Sequence, residues 1–297
     1  MASDPTSTRA SSVEVHPITD RDIQKVAEFL RAEFLSLGAK STRPVTDWLA
    51  TMAPPWAAEQ PNHGYLLRDD GRVVGAHLAL YSERVIDGRP QHFCNLAAWV
   101  VSEPYRASGL RLLRSLLRQK GYTFTDLTPN PNVVNLNTRL GFSVLDTTTV
   151  LVPNPFWPVL PRGIQVIDAA DEIDARLSGP LQQIYRDHRT TAAHHVLLTD
   201  GARCCYVLYR RERYKHRSVL GMILYVSDAE LFRRWSAHLY RYLLLKQRII
   251  ATLVEVRVVG HRPARSISVP GRTKMYLGED IEPRHIDYLY SELTCLE

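Results

Sequence analysis

The chain has 297 residues, of which 45% are hydrophobic and 23% charged, so it can form one large domain or two of ordinary size, and extensive disorder is excluded. A formal net charge of +6 and a pI near 9.2 favour anionic partners, such as the phosphates of a coenzyme or of nucleic acid. There is no helix-turn-helix spacing, zinc finger or RNP-like aromatic motif, so we expect no specific nucleic-acid partner.

The cysteines and the apolar runs bear on where the protein works. No apolar run reaches the roughly 18–20 residues of a membrane-spanning helix, so no membrane partner is expected. The first twelve residues are small and polar, and they predict a disordered tail over 1–12 and no signal peptide. The four cysteines contain no CxxC pair, which is typical of a reduced, cytoplasmic protein without a zinc site.

The first half of the chain alternates strand and helix patterns. Asp69-Asp70-Gly71 and Asp87-Gly88 predict tight hairpin turns, because both dipeptides favour backbone with positive φ. Apolar residues at helical spacing predict helices between and after the strands. The predicted strands cover 13–19, 64–67, 73–80, 93–101 and 122–127, and the predicted helices cover 23–34, 45–52, 110–117 and 133–140.

The second half repeats this plan after a proline-rich segment. Four prolines between 152 and 163 exclude a helix or an inner strand and predict a linker over 153–162. The segment 163–174 then repeats the strand, Asp-rich turn and helix pattern of 13–23, so two similar domains in tandem are expected. Further strands are predicted over 202–210, 219–227 and 250–259, and a helix capped by Asp228 over 229–247.

A glycine-containing turn follows the strand that ends near Val101. It carries Arg106, Ser108 and Gly109, and an amphipathic helix begins directly after it. Such a turn exposes backbone N–H groups at the positive end of the helix dipole, where a phosphate or pyrophosphate binds well.

The order of these parts resembles the core of the GCN5-related N-acetyltransferase (GNAT) superfamily, which binds acyl-coenzyme A. Its phosphate-binding signature is Gln or Arg, two residues, Gly, one residue, then Gly or Ala, and Arg106 and Gly109 match the first two fixed positions. A second match follows about 25 residues later, with a strand between. It consists of Asn130, Leu136, Leu140, Gly141 and Phe142 at the spacing of the family's Asn…Leu-Tyr…Leu-Gly-Phe segment.

The resemblance implies an α/β (α+β) protein of two tandem GNAT-like domains, each a mixed, mostly antiparallel sheet flanked by helices. It implies that residues 13–152 bind acetyl-CoA or another acyl-CoA. Residues 163–297 form a second, degenerate domain without a recognisable phosphate turn, since Ser227 and Asp228 lead directly into a helix. The coenzyme would contact Val100, Val101, Arg106, Ala107, Ser108, Gly109, Leu110, Arg111 and Asn130.

Two positions depart from the family pattern. Arg111 stands where a small residue lets the helix backbone approach the pyrophosphate, and Asn137 stands where a tyrosine protonates the leaving thiolate. The acidic residue often found on the strand before the turn is also missing, because residues 95–98 are Asn, Leu, Ala and Ala. The catalytic candidates are therefore His92, Asn137 and Tyr105, with Glu83 and Asp126 as further local substitutes.

The leading function is transfer of an acyl group, most simply acetyl, to the amine of a small molecule or a protein, by a monomer or a homodimer. An inactive acyl-CoA-binding or regulatory module of the same fold is the alternative, and a basic nucleic-acid-binding protein is a weaker one. His188, His194 and His195 have no recognisable metal-ligand spacing. The basic cluster of 210–217 is either a solvated hairpin tip or a site for an anionic partner.

Overall fold

The computed structural model describes residues 13–36, 43–156, 159–160, 162–214, 217–279 and 281–296. Within them the chain forms two mixed, seven-stranded sheets flanked by helices, which confirms the predicted fold class of two tandem α/β domains. The predicted tail over 1–12 lies outside the described residues. In the described part of the chain, no helix is both long and apolar enough to cross a bilayer.

Asp-Gly turns shape the hairpins of the first half as expected. Asp70 and Gly71 have φ angles of 45° and 78°, and Asp87 and Gly88 have φ angles of 50° and 77°. Positive φ at both central residues matches the right-handed twist of the strands that each turn joins. The elements are β1 (Glu14–Pro17), α1 (Ile23–Ser36), α2 (Val45–Met52), β2 (Gly64–Asp69), β3 (Arg72–Ile86), β4 (Arg89–Val101), a 3₁₀ helix (Glu103–Ser108), α3 (Gly109–Leu117), β5 (Tyr122–Asp126), α4 (Pro131–Arg139), β6 (Ser143–Val144) and β7 (Thr149–Pro153).

The second half follows the same order of elements with one correction. The strand predicted over 250–259 ends at Glu255, and a short helix closed by the left-handed Gly260 follows it. Asp228 caps the long helix as predicted, accepting from Leu231 N at 2.8 Å. The elements are β8 (Gln165–Ile167), α5 (Ala170–Arg176), α6 (Gly179–His188), β9 (His194–Thr199), β10 (Cys204–Tyr214), β11 (Arg217–Val226), α7 (Ala229–Leu245), β12 (Ala251–Glu255), α8 (Val256–Val259), β13 (Ile267–Val269), β14 (Met275–Leu277), a 3₁₀ helix (Pro283–His285) and α9 (Glu292–Cys295).

The two sheets have the same strand order. The first is β1-β2-β3-β4-β5-β14-β6, and the second, read from its other edge, is β8-β9-β10-β11-β12-β7-β13. Each strand of the first half therefore has an equivalent in the second, with α3 after β4 corresponding to α7 after β11. This equivalence extends the repeat of pattern seen in the sequence to the whole topology.

The two halves exchange their last strands. Strand β14 lies between β5 and β6, where Met275 pairs with Asp126 on one side and with Val144 on the other. Strand β7 lies between β12 and β13, where Leu151 pairs with Leu253 and Ile267. Each sheet is therefore completed by a strand from the other half of the chain.

Contacts divide the chain into two compact units. The first unit comprises residues up to Met52, Gln60–Ala79 and Leu96–Lys120, so it holds β1, β2, α1, α2, α3 and adjoining parts of β3 and β4. The second unit comprises the remaining residues, including β5, α4 and the whole second half. The predicted domain bounds, 13–152 and 163–297, describe the order along the chain and stay a prediction.

Candidate functional site

Strand β4 is kinked before it reaches the predicted phosphate turn. Ala98 lies within the strand but has a φ of 45°, a left-handed value that residues with a Cβ seldom adopt. Immediately after it, the Trp99 ring stacks on His77 with centroids 4.9 Å apart. Complete burial lowers the pKa of His77 to about 3, so this histidine is neutral and packs as an aromatic ring. The stack holds the strand after the kink, where Val100 and Val101 lie.

The predicted turn is a 3₁₀ helix that continues directly into α3. The Gly109 N–H donates to Arg106 O, and the Tyr105 N–H donates to Ser102 O at 2.9 Å. The amides of Tyr105 and Gly109 are therefore engaged within the turn, although the sequence predicts exposed amides here. A Cβ on Gly109 would lie 3.3 Å from Val101 Cγ2, so the absence of a side chain lets the start of α3 pack closely against the end of β4.

The two arginines of the signature have different surroundings. Arg106 is 62% exposed and lies 3.6 Å from Glu103, so its guanidinium is accessible to a ligand. Arg111 donates from Nη1 to the carbonyl oxygen of Val13 at 2.8 Å, so its side chain extends towards β1. Together with Arg114 and Arg118 it lines a groove of about 350 Å³, the arginine groove. The structure thus gives Arg111 a place that leaves the turn itself unobstructed by its guanidinium.

Tyr105 anchors the turn to β2. Its hydroxyl donates to Asp69 Oδ2 at 2.6 Å, and this hydrogen bond to a carboxylate raises the pKa of Tyr105. A hydroxyl held in this way is a weak proton donor to any other group. The geometry therefore favours a structural role for Tyr105 over the predicted catalytic one.

Asn137 is joined to a buried carboxylate. It is fully buried in α4 and donates from Nδ2 to Asp126 Oδ2 at 2.8 Å. Asp126 is the last residue of β5, and burial raises its pKa to about 6. The amide thus supports Asp126 and has no proton of its own to transfer at neutral pH.

A second buried carboxylate, Glu292, comes from the far end of the chain. Its Oε1 accepts from Thr128 Oγ1 at 2.9 Å, and its backbone N–H donates to Asn95 Oδ1 at 3.0 Å. Burial, and then the charge of Asp126, raise the pKa of Glu292 to about 7. Sequence reasoning missed this residue, because no local pattern relates the start of α9 to strands β4 and β5.

Two further predicted residues, His92 and Asn130, lie at the surface. His92 is half-exposed, with Nδ1 3.8 Å from Glu83 Oε2 and its ring edge-on to Tyr122. Asn130 is exposed and caps α4, accepting from Asn132 N at 3.0 Å. The cap explains why asparagine precedes this helix without reference to a coenzyme.

The equivalent place in the second half is filled by an ion pair. Glu255 ends β12 as Asp126 ends β5, and Lys274 Nζ lies 2.5 Å from its Oε1. The hydroxyl of Tyr288 donates to the other carboxylate oxygen of Glu255. Both members of the ion pair are buried, so Lys274 balances the charge of this carboxylate within the protein.

Two further clusters from the sequence are now placed. Arg210 is buried and lies 3.2 Å from Glu212, so the expectation of a solvated hairpin tip is wrong for this residue. His188 and His195 are hydrogen-bonded to Ile184 O and Tyr206 Oη. Among the described residues, no group of three or more His, Cys, Asp or Glu side chains could hold a metal ion.

No family model matches this sequence, and no curated protein matches it. Solved structures do resemble the fold. A GCN5-related N-acetyltransferase from Anabaena variabilis ATCC 29413 has a TM-score of 0.59 at 10% identity, covering 89% of this chain and 72% of its own. A putative acetyltransferase from Pyrococcus horikoshii has a TM-score of 0.54 at 14% identity, covering 95% of each chain.

A third solved structure resembles the chain over most of its length. This is a tandem GNAT protein from the clavulanic acid biosynthesis pathway, with a TM-score of 0.53 at 15% identity. The match covers 89% of this chain and 98% of that protein. At these identities the likeness shows the fold alone, and it is the fold that the sequence motifs predict.

Proposed function

We propose that this chain, which has the fold of the GCN5-related N-acetyltransferases, transfers an acyl group, most simply acetyl, from coenzyme A to a primary amine. The observation that carries the proposal is the turn between the kinked β4 and α3. It combines an accessible Arg106 with the glycine-packed start of a nine-residue helix, whose dipole favours an anion.

The residues around this turn suit an acyl-CoA substrate. Arg106 offers a guanidinium to the pyrophosphate, and Arg111 extends away from the turn. Beyond the kink at Ala98, a backbone N–H near Val100 or Val101 would polarise the thioester carbonyl. The amine nitrogen would attack the carbonyl carbon, the C–S bond would break and the coenzyme would leave as thiolate.

Calorimetric titration with acetyl-CoA and free coenzyme A tests the proposal. We expect micromolar binding that weakens at least tenfold in Arg106→Ala. Arg233→Ala is the matched control, because Arg233 is 58% exposed and also pairs with a glutamate three residues away. No binding of either ligand by the wild-type protein would overturn the proposal. If acetyl-CoA binds, a screen of amines that measures release of the free thiol would identify the acceptor.

An inactive acyl-CoA-binding module is the second candidate, because Asn137 replaces the family's acid and is engaged with Asp126. It predicts coenzyme binding without turnover of any amine. The arginine groove is the observation that bears on nucleic acid, since Arg114 and Arg118 have no ion-pair partner in the described part of the chain. That candidate predicts steeply salt-dependent binding to generic RNA or DNA.

A further inference from the structure

We propose that Glu292, delivered by the C-terminal segment, is the proton acceptor of the transfer reaction and receives the proton that an unhindered primary amine loses. The inference rests on the proposed function and deepens it. In the family pattern an acidic residue on the strand before the turn takes this proton, and here Asn95 stands in that region. The structure brings Glu292 of α9 to Asn95 instead, through a hydrogen bond from the Glu292 backbone N–H.

The C-terminal segment is held firmly enough to place a reacting group. Arg84 of β3 forms two hydrogen bonds to Asp287, at 2.5 and 2.9 Å. The hydroxyl of Tyr290 donates to Asp187 at 2.8 Å, and its backbone N–H donates to His188 Nε2 at 2.9 Å. These contacts, made on both sides of the chain that leads into α9, fix the position of Glu292 before any substrate arrives.

Two buried acceptor atoms lack donors in the cluster of residues around Asp126, to which Asn137 and Glu292 belong. Glu292 is only 4% exposed and Asn137 is fully buried. Among the described residues, neither Glu292 Oε2 nor Asn137 Oδ1 has a hydrogen-bond partner. A buried acceptor without a donor loses hydrogen bonds to water and gains none in return, so it is destabilising. A primary amine carries at least two N–H donors, so it can supply donors to acceptors of this kind.

The charges around Glu292 suit a base at neutral pH. Asp126 at the end of β5 is the charged neighbour that raises the pKa of Glu292, while Asn95, Thr128 and Asn137, which complete the cluster, are neutral. A pKa of about 7 makes the carboxylate available at neutral pH and basic enough to accept a proton.

The amine nitrogen forms a bond to the thioester carbonyl carbon while its proton moves to Glu292 Oε2. The C–S bond breaks, and the coenzyme leaves as thiolate, which takes a proton from water. Glu292 then returns its proton to solvent. Since so little of Glu292 is exposed, the amine must lie at the end of a slender group.

The test measures thiol release from acetyl-CoA between pH 5 and 9, with glucosamine, lysine, putrescine and a peptide with a free N terminus as separate acceptors. We expect kcat of Glu292→Gln to fall about 100-fold or more, while Kd for coenzyme A changes less than threefold. Glu292→Asp should recover part of the rate. In the wild type, kcat should rise with pH around 7, and Asp126→Asn should move this rise to lower pH.

Glu172→Gln is the matched control, because it makes the same substitution at a glutamate of α5 that is 46% exposed and paired with Arg176, so its kcat should stay within threefold of wild type. Two results would overturn the role of Glu292 without contradicting the proposed function. One is turnover by Glu292→Gln within threefold of wild type, and the other is the same rise in kcat around pH 7 in this variant. If the variant does not fold, a wild-type profile without that rise overturns it. A wild-type protein that turns over none of the amines contradicts the proposed function as well.

Discussion

The close packing around Gly109 leaves little room for a side chain at this position. A Cβ there would lie 3.3 Å from Val101 Cγ2, so a larger side chain must push α3 away from β4. We expect Gly109→Val to lower the free energy of unfolding by about 1–3 kcal/mol and to weaken coenzyme binding at least tenfold. Gly109→Ala should be milder, because alanine favours helix and Val101 need shift only slightly.

Urea unfolding and calorimetric titration of the two Gly109 variants check this expectation. A Gly109→Val protein with wild-type stability and wild-type coenzyme affinity would show that the close packing of α3 on β4 has no part in binding.

The raised pKa of Glu292 should make the stability of the protein depend on pH. Its pKa rises from 4.5 to about 7 on folding, so the folded state holds the proton more tightly than the unfolded state. The stability this contributes is fully present below pH 4.5 and is lost as pH rises through 7. The free energy of unfolding of Glu292→Gln, relative to that of wild type, should therefore increase by on the order of 3 kcal/mol when the pH is raised from 4.5 to 8.

Urea unfolding of both proteins at the two pH values measures that gain. An equal difference between variant and wild type at both pH values would show that Glu292 titrates alike in the folded and unfolded chains.

Only some of the site could be predicted from single residues. Asn137 and Asp126 are eleven residues apart, so a strand, a turn and a helix bring them together locally, and both were candidates. Glu292 makes its contacts with β4 and the end of β5 through tertiary packing, which no spacing in the sequence records. The side-chain direction of Arg111 depends on the carbonyl of Val13, which lies 98 residues away in the sequence.

The kink of β4 should make the stability of the protein sensitive to the residue at position 98. Ala98 has a positive φ, which glycine adopts without strain and β-branched residues adopt poorly. Ala98→Gly should leave stability unchanged or raise it by up to about 1 kcal/mol, while Ala98→Val should lower it by about 1–3 kcal/mol.

Ala97→Gly is the control for the kink. Ala97 lies in the same strand without a positive φ, so glycine there should be destabilising by about 0.5–1 kcal/mol. Equal losses at the two positions, measured by urea unfolding, would mean that the left-handed backbone of Ala98 contributes no strain.

Elements with strong local signals were predictable, and those set by packing were not. The Asp-Gly hairpins and the Asp228 cap follow from turn and cap chemistry, which acts within a few residues. The valine-rich stretch after Glu255 has the composition of a strand, yet residues 256–259 form a helical turn closed by Gly260. There the surrounding fold overrides local propensity.

The exchange of strands should make each half of the molecule depend on the other for a complete sheet. Residues 1–160 lack β14, the strand between β5 and β6, and leave β7 without its neighbours. We expect this fragment to aggregate when produced alone, because its sheet has a gap and unpaired edges. Co-production with residues 161–297 should restore a soluble complex with the circular dichroism of the intact chain.

Size-exclusion chromatography of the single and co-produced fragments provides the measurement. A monomeric, cooperatively unfolding fragment 1–160 would show that β14 is dispensable to the first sheet. The sequence does predict both tandem repeats, but not this exchange, because a strand pattern specifies a strand without specifying its partner.

The place of β14 also sets the time at which the protein can fold during synthesis. Met275 pairs with Asp126, so the first sheet stays incomplete until about 150 further residues have been made after β5. At 5–20 residues per second, this leaves the nascent first half with an open sheet edge for roughly 8 to 30 s on the ribosome. Because an unpaired edge invites aggregation, we expect such a chain to need chaperones during translation more than two independently folding domains would.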